Sequence, residues 1–178
     1  HLSYPFIFLY KKQIYLSLET ASKNELQIWK ASKFPNKWKI YRNLFKKQSV
    51  ADPTFFVDKK NKLWLFLNKS IDKYNDHNSE LYIYEVKDNF RKFVPHNLNP
   101  VIIDCSFARN AGNLFYKNSK LFKPCQANIN GQYGYGLQII EIKKLNLNEF
   151  QYKKSKKIYK NIHHLSSSNE LITWDKFN

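Results

Sequence analysis

The chain has no Met, four Gly, two Cys and only three Arg (Arg42, Arg91 and Arg109) among its 178 residues. Each shortage excludes something. Without a Met the native start is not represented, so the chain reads as a piece of a longer protein. Cys105 and Cys125 fit no metal-ligand spacing, and neither a metal site nor any cofactor is expected. Both lie in apolar or strand-like sequence, which predicts buried free thiols, with a disulfide between them as the alternative. No run approaches the roughly 18 apolar residues of a membrane span, and no signal peptide is visible. The expected location is cytoplasmic. Three of the Gly (Gly131, Gly134 and Gly136) fall in NGQYGYGLQ, which lacks the strand-to-helix setting of a phosphate loop. They predict a turn entering a strand where another backbone passes close by.

The net charge of +16 is carried almost wholly by Lys. Proteins that read nucleic acid favour Arg, whose planar fork matches base edges and phosphates. Lys, Asn and Ile are abundant together, as codon bias in an AT-rich genome would make them, so no nucleic-acid partner is expected. On that reading the Lys residues disperse over outer strands and turns, as at Lys11–Lys12, Lys59–Lys60 and the run from Lys153 to Lys160.

What is plentiful is aromatic: 12 Tyr and 14 Phe, a composition that favours strands. Apolar residues alternate with polar ones over short segments, the period of half-buried strands. The segments recur in order. PFIF, a Lys11–Lys12 turn, IYLSLE, LQIWKA and WKIYRNLF are followed by DPTFFV, a turn at Lys59–Asn61, LWLFLN, LYIYEV and FRKFVPH. A third unit runs AGNLFY, LFKPCQ, GLQIIEI and EFQYKKS, and a fourth begins with IHHLS and ELITWD. Four strands at a spacing near fifty residues is the period of a propeller blade. The units are taken as about 1–48, 49–104, 105–160 and a partial 161–178, an all-β propeller of about three and a half blades. The best helix candidate is only a short turn around Leu145–Glu149.

In a propeller the inner strands line a central channel, where polar residues at their ends converge. Here those ends hold His1, Asp52, Arg109 and His163–His164, and the second strands add Glu19 and Gln126. Asp52 and Glu19 are the candidate catalytic or hydroxyl-binding carboxylates. His1, Arg109, Gln126 and His164 are the candidate ligand-binding groups. Each has a structural alternative: Asp52 could cap a turn before Pro53, Glu19 needs a partner if buried, and Arg109 could merely pair with a carboxylate. His96, between Pro95 and Pro100, reads as turn chemistry. Trp29, Trp64 and Trp174 are either sugar-stacking platforms or core.

The ordered series HLSYPFIF, IYLSLET, FP-x-x-W, ADPTFF, LWLFLN, PHNLNPV, ARNAGNLF, KPCQ and YGYGL resembles one family over almost the whole chain. It is the propeller domain at the N-terminus of glucosamine inositolphosphorylceramide transferases and their bacterial relatives, some linked to sugar formyltransferases. That domain is similar in fold to the five-bladed glycoside hydrolases of family 43. The resemblance implies a five-bladed ring completed by a preceding segment or another domain, with Asp52 matching the hydrolases' pKa-tuning Asp. Their general acid would fall on the next inner strand, yet no carboxylate lies between Ser106 and Tyr116. Where the family shows Arg-Pro and Arg-Pro-x-Gln-Asp, this chain has Arg109–Asn110 and Lys123–Pro124–Cys125–Gln126–Ala127. The expected function is therefore binding of a sugar or sugar conjugate in glycan or glycolipid assembly, beside a transferase. The alternatives are a family-43 type of hydrolase and a non-catalytic scaffold that docks a transferase domain.

Overall fold

The computed structural model describes residues 3–20, 24–70, 76–129, 132–155, 158–160, 162–168 and 171–176, and these contain strands and no helix. β1 (Ser3–Tyr10), β2 (Gln13–Thr20), β3 (Glu25–Lys33) and β4 (Lys37–Leu44) form an antiparallel sheet in chain order. β5 (Val50–Val57), β6 (Leu63–Lys69), β7 (Glu80–Lys87) and β8 (Lys92–Pro95) repeat the arrangement, with β9 (Ile102–Ile103) beside β7. β10 (Phe115–Lys117), β11 (Lys120–Ile129), β12 (Gln132–Leu145) and β13 (Phe150–Lys154) form a third sheet, with β14 (Tyr159–Lys160) beside β12. β15 (Ile162–Ser168) and β16 (Leu171–Lys176) pair as a hairpin. The helix candidate at Leu145–Glu149 is a tight turn: Asn146 Oδ1 accepts from the N–H groups of Asn148 and Glu149 at 2.8 and 3.0 Å.

The repeated X-Pro stretches, Tyr4–Pro5 and Asp52–Pro53, have a structural meaning. Pro5 and Pro53 lie in the first strand of their sheets, and in each case the register skips there, between Ser3 and Phe6 and between Ala51 and Thr54. A bulge tolerates Pro because no ladder N–H is needed. The residue before each Pro has a left-handed backbone, φ 47° at Tyr4 and 50° at Asp52. Such backbones cost about 1–3 kcal/mol outside Gly and persist where surroundings over-determine them.

The second sheet is buried on both faces, and strand periodicity divides its side chains between two cores. Phe55, Leu63, Leu65 and Tyr84 pack toward the first sheet, and Phe56, Trp64, Phe66 and Ile83 toward the third. The hub of the first interface is Phe90, 1% exposed, whose ring meets Tyr10, Tyr15, Tyr41 and Phe55. Phe8 stacks on Phe55 with centroids 4.4 Å apart. Trp64 belongs to the second core, with Nε1 donating to Asp58 Oδ2 at 2.9 Å, and is no sugar platform. Trp29 donates to Gln27 Oε1 at 3.2 Å, and the side chain of Trp174 lies outside the described residues.

Two expectations need correction. Cys125 is buried but Cys105 is exposed, because the loop after β9 carries it outward; both are free thiols. Lys123 is not on the surface with its fellows but fully buried in β11. Its Nζ reaches the carbonyls of Phe107, Ala108 and Arg109 at 3.3–3.5 Å and Cys125 Sγ at 3.3 Å. Burial pulls the Lys123 pKa down and pushes the Cys125 thiol up.

The expected close approach at the Gly-rich stretch occurs at Gly136, which pairs with Lys160 of β14. A Cβ there would lie 2.7 Å from the carbonyl oxygen of Tyr159, a backbone atom with little room to retreat. Gly136→Ala should therefore displace β14 and cost about 1–3 kcal/mol, as overpacking does. Chemical denaturation would read this, and a change under 0.5 kcal/mol would refute it. Gly134 has φ 65°, and Gly131 lies outside the described residues.

Candidate functional site

β5 packs against the first sheet, and the Asp52 side chain at the β5 bulge meets groups from outside its own sheet. Asp52 Oδ2 lies 2.6 Å from Arg109 Nε, with both side chains largely withdrawn from water. The Asp52 N–H, freed from the ladder by the bulge, donates to Glu19 Oε2 at 2.8 Å. Asp52, Glu19 and Arg109 thus form one cluster drawn from the second sheet, the first sheet and the loop before β10. Burial pushes the Asp52 carboxyl up to about 6, against the pull of Arg109, while Glu19 adds to the rise. A buried carboxyl that resists ionising beside its own counter-ion makes Asp52 the centre of the candidate site.

A second layer holds Arg109. Its Nη1 donates to Asn78 Oδ1 at 2.8 Å, and its guanidinium lies 4.9 Å from the Tyr133 ring centroid. Asn78 Oδ1 also accepts from Asn128 Nδ2 at 3.2 Å. The Arg109 carbonyl accepts from the Gln126 N–H at 3.0 Å. Gln126 is thus placed beside the cluster through its backbone, and its side-chain Oε1 is buried without a hydrogen bond. Asn78, Asn128 and Tyr133 line a cleft of about 330 Å³, together with Asp76, Cys105 and Gln132. The wall is rich in carboxamide, hydroxyl and carboxylate groups, the set that hydrogen-bonds polyhydroxyl ligands.

Two Asn residues lock the sheets beneath the cluster. Asn110 Nδ2 donates to the carbonyls of Asp52 and Phe66 at 2.8 and 3.0 Å. Asn68 Oδ1 accepts from the Asn110 N–H at 3.0 Å, and its Nδ2 donates to Glu80 and Ala108 carbonyls. Tyr4 reaches Thr54 Oγ1 at 3.3 Å, and burial raises its phenol pKa. His77 shares a 2.9 Å hydrogen bond with Ser49 Oγ, and burial followed by Arg109 lowers its pKa.

Of the sequence-nominated residues, the structure brings Asp52, Glu19, Arg109 and Gln126 together. His1 lies outside the described residues, as do the side chains of His163 and His164. His96 is buried, and its Nδ1 accepts from the Leu98 N–H at 3.0 Å in the turn after β8. Sequence reasoning missed Tyr4, Asn68, His77, Asn78, Asn110, Asn128 and Tyr133. Only Tyr4 carried a signal, since it precedes Pro5 as Asp52 precedes Pro53. Among the described residues, no three His, Cys, Asp or Glu groups are placed to hold a metal ion. No helix there is long and apolar enough to cross a membrane.

The model of the glucosamine inositolphosphorylceramide transferase 1 N-terminal family matches residues 1–172. The chain belongs to that family. Glucosamine inositolphosphorylceramide transferase 1 from Oryza sativa subsp. japonica is 33% identical over 153 residues, which are 85% of this chain and 20% of that protein. The protein of the same name from Arabidopsis thaliana is 28% identical over the same coverage. The chain spans about a fifth of the length of those relatives. Among solved structures, a β-xylosidase superposes with a TM-score of 0.64 at 8% identity, over 93% of this chain and 59% of that one. An endo-1,4-β-xylanase from Bacteroides thetaiotaomicron gives 0.60 at 11% identity, over 88% and 54%. These likenesses establish the fold of the domain as the glycosidase type of β-propeller.

Proposed function

We propose that this domain binds a sugar or sugar conjugate at the Asp52–Arg109 junction, in the service of glycan or glycolipid synthesis by an associated transferase. The observation that carries this reading is the buried, cross-sheet Asp52–Glu19–Arg109 cluster opening beside a polar cleft. The relatives' name, glucosamine inositolphosphorylceramide transferase 1, supports the ligand class. The Asp52 and Glu19 carboxylates accept from protein donors, Arg109 Nε and the Asp52 N–H. Glycoside hydrolysis needs two carboxyl groups flanking the bond, so binding is favoured over catalysis by this pair.

A five-bladed ring, completed by a further segment or a transferase domain, is part of the proposal. The first sheet supports it. The cross-strand neighbours Ile7, Leu16, Trp29 and Ile40 share the face turned away from the second sheet, and Ile7 and Ile40 are about half exposed, at 52% and 53%. An apolar sheet face of this kind is ordinarily covered.

Asp52→Asn preserves shape and tolerance of the left-handed backbone while removing the charge. Binding of amino sugars, uronic acids or sugar phosphates to the full-length protein, measured calorimetrically, should fall tenfold or more, about 1.4 kcal/mol. Unchanged affinity in a folded variant refutes the site. Aryl-glycoside hydrolysis that disappears in Asp52→Asn would establish the hydrolase instead.

A further inference from the structure

Antiparallel meanders place alternate turns at opposite ends, so in each four-stranded sheet the first and third turns share an end. Contacts between sheets show that these ends coincide. Tyr10, entering the β1–β2 turn, sits edge-on to Phe90 in the β7–β8 turn with centroids 6.2 Å apart. Lys59 of the β5–β6 turn lies 4.6 Å from the Tyr116 ring centroid, next to the β10–β11 turn. Glu19–Asp52 and Arg109–Asn78 define the opposite end. Six turns therefore form one rim, remote from the candidate site.

The charge is segregated along this axis. The rim turns at 10–13, 33–37, 58–62, 87–92, 117–120 and 145–150 hold twelve Lys or Arg against three Asp or Glu, and all twelve cations are exposed. Asp58, one of the three acids, is occupied by the N–H groups of Lys60 and Lys62 and by Trp64. At the other end, the described residues within 19–25, 45–52, 69–80, 104–110 and 154–160 hold six Lys or Arg against six Asp or Glu. Codon bias explains why the cations are Lys. It does not explain their sorting, because turns are exposed at both ends.

Two further features identify the counterpart. A cleft of about 420 Å³ between adjacent rim turns is lined by Lys59, Lys60, Lys62 and Lys120, with Asp58 and Glu141 also in its wall, and has room for a phosphate-bearing headgroup. At the tip of the β3–β4 turn, Phe34 is 51% exposed and braced edge-on by Trp38. Only Arg91 among the twelve is Arg, so the rim offers point charges rather than base-reading forks, two of them (Lys62 and Lys87) paired with Glu85 at 3.4 Å.

We propose that this rim docks on an anionic lipid bilayer, with Lys tips against headgroup phosphates and Phe34 in the interfacial layer. In that pose the Asp52–Arg109 end faces the aqueous phase. Apart from Lys123, the Lys residues lie in outer strands and turns as the sequence reading expects, and those of the turns gather mainly at one end.

Sedimentation of the full chain with vesicles tests this. The protein should bind phosphatidylcholine vesicles containing about 30% phosphatidylserine, ignore pure phosphatidylcholine, and release as salt screens the attraction. Replacing Lys11, Lys12, Lys59 and Lys60 by Gln should weaken binding up to about a thousandfold. Lys46→Gln with Lys47→Gln, at the other end, should change it less than about twofold, with thermal melts confirming that both variants fold. Phe34→Ser should lower the residual binding at high salt. Three outcomes overturn the proposal: no preference for anionic vesicles, equal loss in the Lys46/Lys47 control, or tighter capture of a nucleic-acid duplex by the same lysines.

Discussion

Arg109→Ala should destabilise the domain by about 3–5 kcal/mol at pH 8, the cost of leaving a buried charge without its partner. The loss should shrink as the pH falls. In the folded protein burial holds the Asp52 pKa at about 6, above its ordinary 3.8. A raised carboxyl pKa means that the folded state binds the proton more tightly than the unfolded chain. The stabilisation from that proton is complete below about 3.8 and is lost as pH rises through about 6. Removing Arg109 takes away the main influence that opposes burial, so the pKa climbs further and the penalty at neutral pH grows. Near pH 4.5 Asp52 is mostly protonated with or without Arg109. The variant there forfeits only packing and the Asn78 hydrogen bond, about 1–2 kcal/mol. Urea denaturation at the two pH values decides it, and a penalty that does not vary with pH would show that Asp52 carries no buried charge. Adding Asp52→Asn to Arg109→Ala should recover part of the loss at pH 8.

Asn110→Leu is the other substitution with a large expected effect. Its carboxamide is the donor to two buried carbonyls, those of Asp52 and Phe66, in different strands of the second sheet. A leucine of similar volume leaves both acceptors without a partner, at about 1–3 kcal/mol each. The expected destabilisation is about 2–4 kcal/mol, together with weaker ligand binding, since the Asp52 backbone loses its anchor. Asn97→Ala offers the contrast: Asn97 Nδ2 bonds Asn148 Oδ1 at 2.6 Å in an exposed turn, where water can substitute. That change should stay within about 0.5 kcal/mol. Equal penalties for the two substitutions would mean that Asn110 does not join the sheets as the geometry indicates.

Strand positions were legible in the sequence because a period of two is a local property. LWLFLN alternates between side chains that feed one core and side chains that feed the other, and nothing beyond the pleat is needed to see it. The repeat was legible for the same reason: each unit must bury two faces against neighbours, so the same pattern recurs. The X-Pro stretches announced equivalent strands, and Asp52, Glu19 and Arg109 could be nominated because they stand in or next to such strands. Their mutual contacts could not be read. The 2.6 Å approach of Arg109 to Asp52 depends on how the second and third sheets pack, and no spacing along the chain encodes it. Lys123 shows the same limit from the other side. Composition marks a Lys as surface, and only the tertiary structure, by offering three carbonyls and a thiol at one buried point, makes the interior its place. The polarity of the Lys-rich turns was likewise invisible in the sequence, since which turns share an end follows from strand pairing and sheet packing. Local alternation determined the strands and their order; long-range packing alone decided which polar groups meet.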